Sequence, residues 1–259
     1  MTTVFITGAS SGIGAELARR YAEQGAVLGL VARRQDVLEQ LRQSLPSADQ
    51  HYIYAVDVTD HDALASAAND FIRKVGRVNV VIANAGVSVG TLTEHAEDIP
   101  VFARVIETNL IATVATFSPF IQVMQAYAKE YPCRLVGIGS VAGIRGLPGA
   151  EAYSASKAAV ISYCESLRVE LRGSGIQVVT IAPGYIDTPM TRDNPYPMPF
   201  LMPVKAFSVA ALAAIGRGDS YRVIPWQMGV VAKILRLLPN FLYDAVFAKA
   251  RRKPRASES

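Results

Sequence analysis

Tyr153 and Lys157 stand four residues apart in the run Tyr153-Ser154-Ala155-Ser156-Lys157. On a helix that spacing puts both side chains on one face. A free phenol titrates near pH 10 and is a poor base at neutral pH. A neighbouring ammonium stabilises the phenolate, so the spacing predicts that Lys157 lowers the pKa of Tyr153. Such a pair can give a proton to a carbonyl oxygen or take one from an alcohol. Ser140 directly follows an apolar run at residues 134–139 and adds a hydroxyl at the same edge. Tyrosine and lysine often fall at this spacing by chance, so the pair needs support from the rest of the chain.

That support begins near the N-terminus. Thr7-Gly8-Ala9-Ser10-Ser11-Gly12-Ile13-Gly14 follows an apolar run and opens an amphipathic stretch. Glycines there allow a tight turn and a close approach of backbone N–H groups to a pyrophosphate, helped by the positive end of the helix. The spacing is G-x-x-x-G-x-G rather than G-x-G-x-x-G. After the second apolar run the chain reads Val31-Ala32-Arg33-Arg34, with no acid placed for a ribose 2′-hydroxyl. A guanidinium suits a 2′-phosphate through bidentate charge-assisted bonds, so Arg33 predicts NADP(H) over NAD(H).

These residues need a scaffold. Apolar runs at 3–7, 26–31, 51–56, 78–83, 134–139 and 176–182 read as strands buried on both faces. Helical patterns at 12–24, 35–45, 60–74, 100–128 and 152–172 alternate with them. The alternation predicts right-handed βαβ units in an α/β, doubly wound parallel sheet, a Rossmann-like three-layer sandwich. No linker is visible, so residues 1–259 read as one domain. Tyr221-Arg222-Val223-Ile224 reads as a last strand.

Taken together, these segments resemble the short-chain dehydrogenase/reductase family in its form of about 250 residues. The matching positions are Thr7 to Gly14, Asp57-Val58, Asn84-Ala85-Gly86, Asn109, Ser140, Tyr153 with Lys157, and Pro183-Gly184 with Thr188. The resemblance implies roles for them. Ser140 would hold the substrate oxygen, and Tyr153 would exchange the proton while the nicotinamide exchanges the hydride. Lys157 would also bond the nicotinamide ribose. Asn109 would kink its helix and hold a water that relays protons to Lys157. Asp57 and Val58 would contact adenine, Asn84, Ala85 and Gly86 would line the cofactor, and Ile186 and Thr188 would fix its carboxamide. The resemblance also implies homodimers or homotetramers built on the helices that carry Asn109 and Tyr153.

Substrate contacts are expected from Ser140, Val141, Leu147, Tyr153, Tyr185 and Met190, with Ala142, Met198, Phe200, Leu201 and Met202 as further wall candidates. The loop region 186–215 offers few charges beyond Arg192 and Asp193, and methionine suits irregular apolar pockets. A medium-to-large apolar ketone, aldehyde or alcohol is therefore the expected substrate. A non-catalytic NADPH sensor would typically lack part of the Ser140, Tyr153 and Lys157 set, which is complete here.

Composition narrows the remaining classes. Cys133 and Cys164 are too few for a disulfide scaffold and lack metal-ligand spacing. No signal-peptide pattern opens the chain, and no uninterrupted run of about 18 apolar residues exists, so no spanning helix and a cytoplasmic location are expected. The net charge of +4 is explained by an anionic cofactor, and no basic–aromatic module points to nucleic acid. Residues 226–259 depart from the family pattern. Val230, Val231, Ile234, Leu235, Leu237 and Leu238 share a helical arc opposite Lys233 and Arg236. Phe241, Leu242, Val246 and Phe247 continue the apolar stripe toward Lys249, Arg251, Arg252, Lys253 and Arg255. The expectation is a helix packed on the core or on another subunit, with a solvated tail. Peripheral contact with an anionic membrane, as in a lipid-modifying reductase, is the alternative.

Overall fold

In the computed structural model, which describes residues 1–192, 194–248 and 252–255, β1 (Thr3–Thr7) is followed by α1 (Gly12–Glu23). Then come β2 (Val27–Ala32), α2 (Gln35–Ser44), β3 (Tyr52–Ala55), α3 (His61–Val75) and β4 (Val80–Ala83). A long helical run follows: α4 (Ile99–Ile106), a π turn at Glu107–Ile111, and α5 (Ala112–Gln125). The sheet resumes with β5 (Cys133–Ile138), α6 (Glu151–Glu170) and β6 (Ile176–Pro183).

Among the described residues, seven strands form one parallel sheet in the order β3-β2-β1-β4-β5-β6-β9, where β9 is Tyr221–Ile224. The chain reverses direction across the sheet between β1 and β4, which opens a crevice at the strands' carboxyl ends. All residues of β1, β2 and β4 are buried, because helices cover both faces. Leu17, Leu38 and Phe207 belong to one core layer, and Phe71, Phe117, Phe120 and Leu167 to the other. The start of α3 is fixed by Asp60, whose carboxylate accepts the Ala63 N–H at 3.0 Å.

The long helical run departs from the predicted 100–128 helix through its π turn, which shifts the register just where Asn109 sits. The stretch Ala96–Gln125 has the length and mean apolarity of a membrane span, although charged and polar residues such as Arg104, Glu107 and Asn109 interrupt it. Here it is a layer helix, with Phe117, Phe120 and Met124 buried against the sheet.

Beyond β6, the loop region carries β7 (Ile186–Asp187), the short α7 (Pro189–Arg192) and β8 (Met202–Pro203), which pairs with β7. Next come α8 (Val204–Arg217), β9, α9 (Trp226–Leu237) and α10 (Asn240–Phe247). The predicted α9 arc does not pack on the core. Met228 and Ala232 face the body, while Val230, Ile234 and Leu237 are exposed. Met228 is drawn inward because Gly184, lacking a side chain, leaves room for it: a Cβ there would stand 2.7 Å from Met228 Cγ. The solvated-tail expectation is corrected too: Arg255 is buried in an ion pair, while Lys249 and Arg251 lie outside the described residues.

Candidate active site

The turn between β1 and α1 is held from beneath. Asn84 donates through Nδ2 to the carbonyls of Thr7 at 3.0 Å and Gly8 at 3.2 Å. Thr7 Oγ1 in turn accepts the amides of Asn84 and Ala85. Gly8 has φ +67°, and a Cβ there would stand 2.8 Å from Ala85 Cα, so only glycine permits this close approach. Gly14 packs directly on the Gly8 carbonyl, behind the turn rather than on its open side. The open side faces a cleft of about 550 Å³.

The cleft wall collects most of the positions singled out in the sequence. Gly8, Ser10, Ser11, Gly12 and Ile13 line one end, with Arg33, Asp57 and Val58 beside them. Asn84, Ala85 and Gly86 line the floor, and Pro183, Gly184, Ile186 and Thr188 the far side. Ser140, Tyr153, Lys157 and Met190 share the same cleft. Val141, Leu147 and Tyr185 do not line it, and Phe200 and Leu201 are exposed at 51% and 46%. Asp193 lies outside the described residues.

The Ser140 hydroxyl is near enough to the Tyr153 phenol to favour its ionised form, and Ser140 Oγ accepts the Ala142 amide at 3.1 Å. Lys157 is 5% exposed, and its Nζ donates to the Ile138 carbonyl at 2.8 Å. Burial pulls the lysine pKa down to about 8, with a small opposing effect from Cys164. Nζ lies 5.9 Å from the Tyr153 ring centre. The predicted lowering of the Tyr153 pKa is corrected: its pKa is raised. Removing the phenolate from water outweighs the effect of the Ser140 hydroxyl, and the lysine spends its contact on the Ile138 carbonyl. At neutral pH Tyr153 is therefore a protonated donor.

Asn109 sits outside the cleft wall, in the π turn. Its Oδ1 accepts the Val87 amide at 2.8 Å, and its Nδ2 donates to the Val87 carbonyl at 3.0 Å and to Ser156 Oγ at 2.9 Å. Ser156 Oγ donates to the Tyr153 carbonyl at 2.8 Å, which ties the π turn to the catalytic helix. A Cβ at Gly86 would stand 3.2 Å from Asn109 Oδ1 and 3.5 Å from Lys157 Nζ, so glycine keeps these two groups close.

Arg33 Nη1 stands 3.8 Å from Asp57 Oδ2, an exposed pair at the cleft edge, and Arg34 reaches Ser10 Oγ at 3.5 Å. Several wall or near-wall residues escaped the sequence reading. Val87, Val89, Arg104 and Thr108 are among those that line the cleft, and no local pattern marks them. Tyr196 packs on Tyr185 at 6.3 Å, and its pKa is pushed up to about 12 by burial, then by Tyr185 and Tyr153. The Pro- and Met-rich composition of its loop was the available signal.

The arrangement offers an amide-lined turn for phosphates, cations at its rim, and a hydroxyl–phenol–amine set deeper in. The residues thus fit a dinucleotide: on the cleft side of the turn, a Cβ at Gly12 would project toward Thr188, 3.4 Å away and itself a cleft residue, so glycine leaves that space open.

Comparison with known proteins agrees with this geometry. A family model described as short chain dehydrogenase matches residues 2–197. An uncharacterized oxidoreductase of Myxococcus xanthus is 38% identical over 96% of this chain and 97% of its own. Among solved structures, a 3-ketoacyl-(acyl-carrier-protein) reductase from Brucella melitensis complexed with NADH superposes with a TM-score of 0.78 at 23% identity, covering 86% of this chain and 96% of that one. ElxO with NADP bound gives 0.76 at 24% identity, with the same coverage. The glycine-rich turn, the parallel sheet and the full-length relative converge, and the chain is an oxidoreductase of the short-chain dehydrogenase family.

Proposed function

We propose that this oxidoreductase uses NADP(H) to interconvert a medium-to-large apolar ketone or aldehyde with its alcohol. The observation that carries the reading is the meeting of Ser140, Tyr153 and Lys157 in the cleft that also contains the glycine turn. When bound, the nicotinamide cofactor supplies or accepts the hydride. The amides of the Gly8 to Ile13 turn hold the pyrophosphate. Asp57 and Val58 contact the adenine, and Asn84, Ala85 and Gly86 support the dinucleotide. Pro183, Gly184, Ile186 and Thr188 position the nicotinamide end, and Lys157 holds its ribose.

In the reducing direction, the Ser140 hydroxyl holds the substrate oxygen and Tyr153 gives it a proton. Lys157, still largely charged at neutral pH, stabilises the phenolate left behind. In oxidation, the proton moves the other way. Asn109 keeps the π turn and Val87 fixed beside Lys157, where a water relay can pass protons to the amine. Val87, Val89 and Met190 give the cleft apolar walls, which favours apolar substrates.

The NADP(H) preference rests on Arg33 and Arg34 at the rim, and on a second strand that ends without a carboxylate. Release from Asp57 frees Arg33 for a 2′-phosphate. A paired titration with NADPH and NADH, read by cofactor fluorescence, tests this. NADPH should bind more tightly, and Arg33→Glu should weaken it by about tenfold or more while leaving NADH nearly unchanged. Equal affinities in the unmodified protein would exclude the arginine assignment.

A further inference from the structure

Residues 252–255 run between the loop after β4, which lines the cleft, and the loop that leads from Ser140 to Tyr153's helix. The first loop follows β4. Val87 and Val89 line the cleft, while Ser88 and Gly90 meet the tail. Lys253 Nζ donates to Ser88 Oγ at 3.0 Å, and the Gly90 amide donates to the Pro254 carbonyl at 3.2 Å. Arg255 ends the run with a two-pronged grip. Its Nε donates to Asp98 Oδ2 at 2.8 Å, and its Nη2 to Asp98 Oδ1 at 3.1 Å and Glu97 Oε1 at 3.0 Å. Asp98 Oδ2 also accepts the Leu92 amide at 2.8 Å, so one carboxylate joins tail and loop.

Arg255 is 9% exposed and Asp98 4%. A charge pair this far from water is geometrically demanding, and removing one member strands the other. An ordinary surface tail has no need of such a pair.

The second loop follows Ser140. A Cβ at Gly149 would stand 2.7 Å from Arg252 Cβ, so the tail presses on the residue two positions before α6 and Tyr153's helix begins. Upstream, Arg145 donates to the carbonyls of Arg236 and Leu238 and to Asn240 Oδ1, and Tyr243 OH donates to the Gly146 carbonyl. The C-terminal segment therefore ties the cleft-lining loop after β4 to the loop that connects Ser140 with Tyr153's helix.

We infer that residues 252–255 are a strap that sets the width of the substrate opening, with Arg255 as its positioning residue and bulky apolar substrates as those it discriminates. The specificity part rests on the carbonyl-reductase reading above; the strap itself does not. Arg255 touches no reacting atom. It acts by holding the backbone on which Val87 and Val89 present their side chains.

The test uses the full-length protein with Arg255→Gln and Arg255→Lys. Hydrogen exchange should accelerate about tenfold or more across residues 88–92 in the Gln variant, while the central strands stay protected. Lysine reaches only one carboxylate oxygen at a time, so Arg255→Lys should restore part of the protection. In steady-state assays with NADPH, KM for a long-chain apolar ketone should change by about fivefold or more, KM for a short ketone should hold, and kcat should stay within about twofold. Unchanged exchange in the Gln variant would overturn the strap. Faster exchange with both KM values unchanged would overturn the specificity role. An unmodified protein that reduces neither ketone would overturn the reductase reading, while the exchange data still decide the strap.

Discussion

Lys157 and Tyr153 show why spacing alone does not set a pKa. Four residues on a helix place both groups at the cleft, yet the amine turns to the Ile138 carbonyl and the phenol stays protonated. In this arrangement Tyr153 is suited to donate, and Lys157 is the group that titrates in the working range, at about 8. Tyr153→Phe should lower kcat by about 10²–10⁴-fold with NADPH binding retained, as measured by steady-state kinetics beside a fluorescence titration. The reduction rate of the unmodified enzyme should fall as pH rises through about 8, because the neutral amine no longer stabilises the phenolate. A flat profile from pH 7 to about 9.5 would remove Lys157's charge from the mechanism.

Among the elements, the π turn at Glu107–Ile111 is the part that joins fold to site. It turns Asn109 inward, where the side chain closes a ring of bonds with Val87 and touches Ser156 at the start of α6. Without that register shift, one amide could not serve the loop after β4 and the catalytic helix together. Asn109→Ala leaves the half-buried N–H and C=O of Val87, and the buried Ser156 hydroxyl, without their side-chain partner. It should cost about 2–3 kcal/mol, seen as a lower urea midpoint at an unchanged m-value. Asn109→Asp keeps the acceptor for Val87 N–H and loses both donors, so it should recover only part of that loss. The helix itself was legible from its apolar content; the π turn was not, because no residue type encodes an extra residue per turn. Which α9 face meets the core was not legible for a related reason. Val230, Ile234 and Leu237 form a good apolar arc, but the neighbour that selects the buried face is Gly184, far away in sequence.

For the molecule as a whole, the site carries a stability cost. A lysine ordinarily titrates near 10.5, and here burial holds it at about 8. Below pH 8 both folded and unfolded states carry the proton, so the full penalty applies. Between about 8 and 10.5 the unfolded state binds more protons, and stability from this group rises with pH. Lys157→Met should abolish turnover yet stabilise the fold at pH 7, by no more than about 3 kcal/mol. That advantage should shrink as pH approaches 10, which denaturant midpoints at several pH values would show. A variant equally destabilised at every pH would mean that the methionine packs poorly and that the charge penalty is small.

The sequence by itself determined the parallel sheet, because strands covered on both faces must be apolar along their whole length, as in Val80 to Ala83. It also determined the glycine turn and the Tyr153–Lys157 spacing, since steric freedom and helical periodicity are local properties. Tertiary structure alone decided the rest. The Tyr153 pKa depends on how much water the assembled walls exclude. The tail's fate depends on a carboxylate 157 positions away: Asp98 captures Arg255 only once β4 and the C-terminal segment are brought to the same rim. A run of cations reads as solvated until its partners are in place, because charge composition is written in the chain while burial and pairing arise only when distant segments meet.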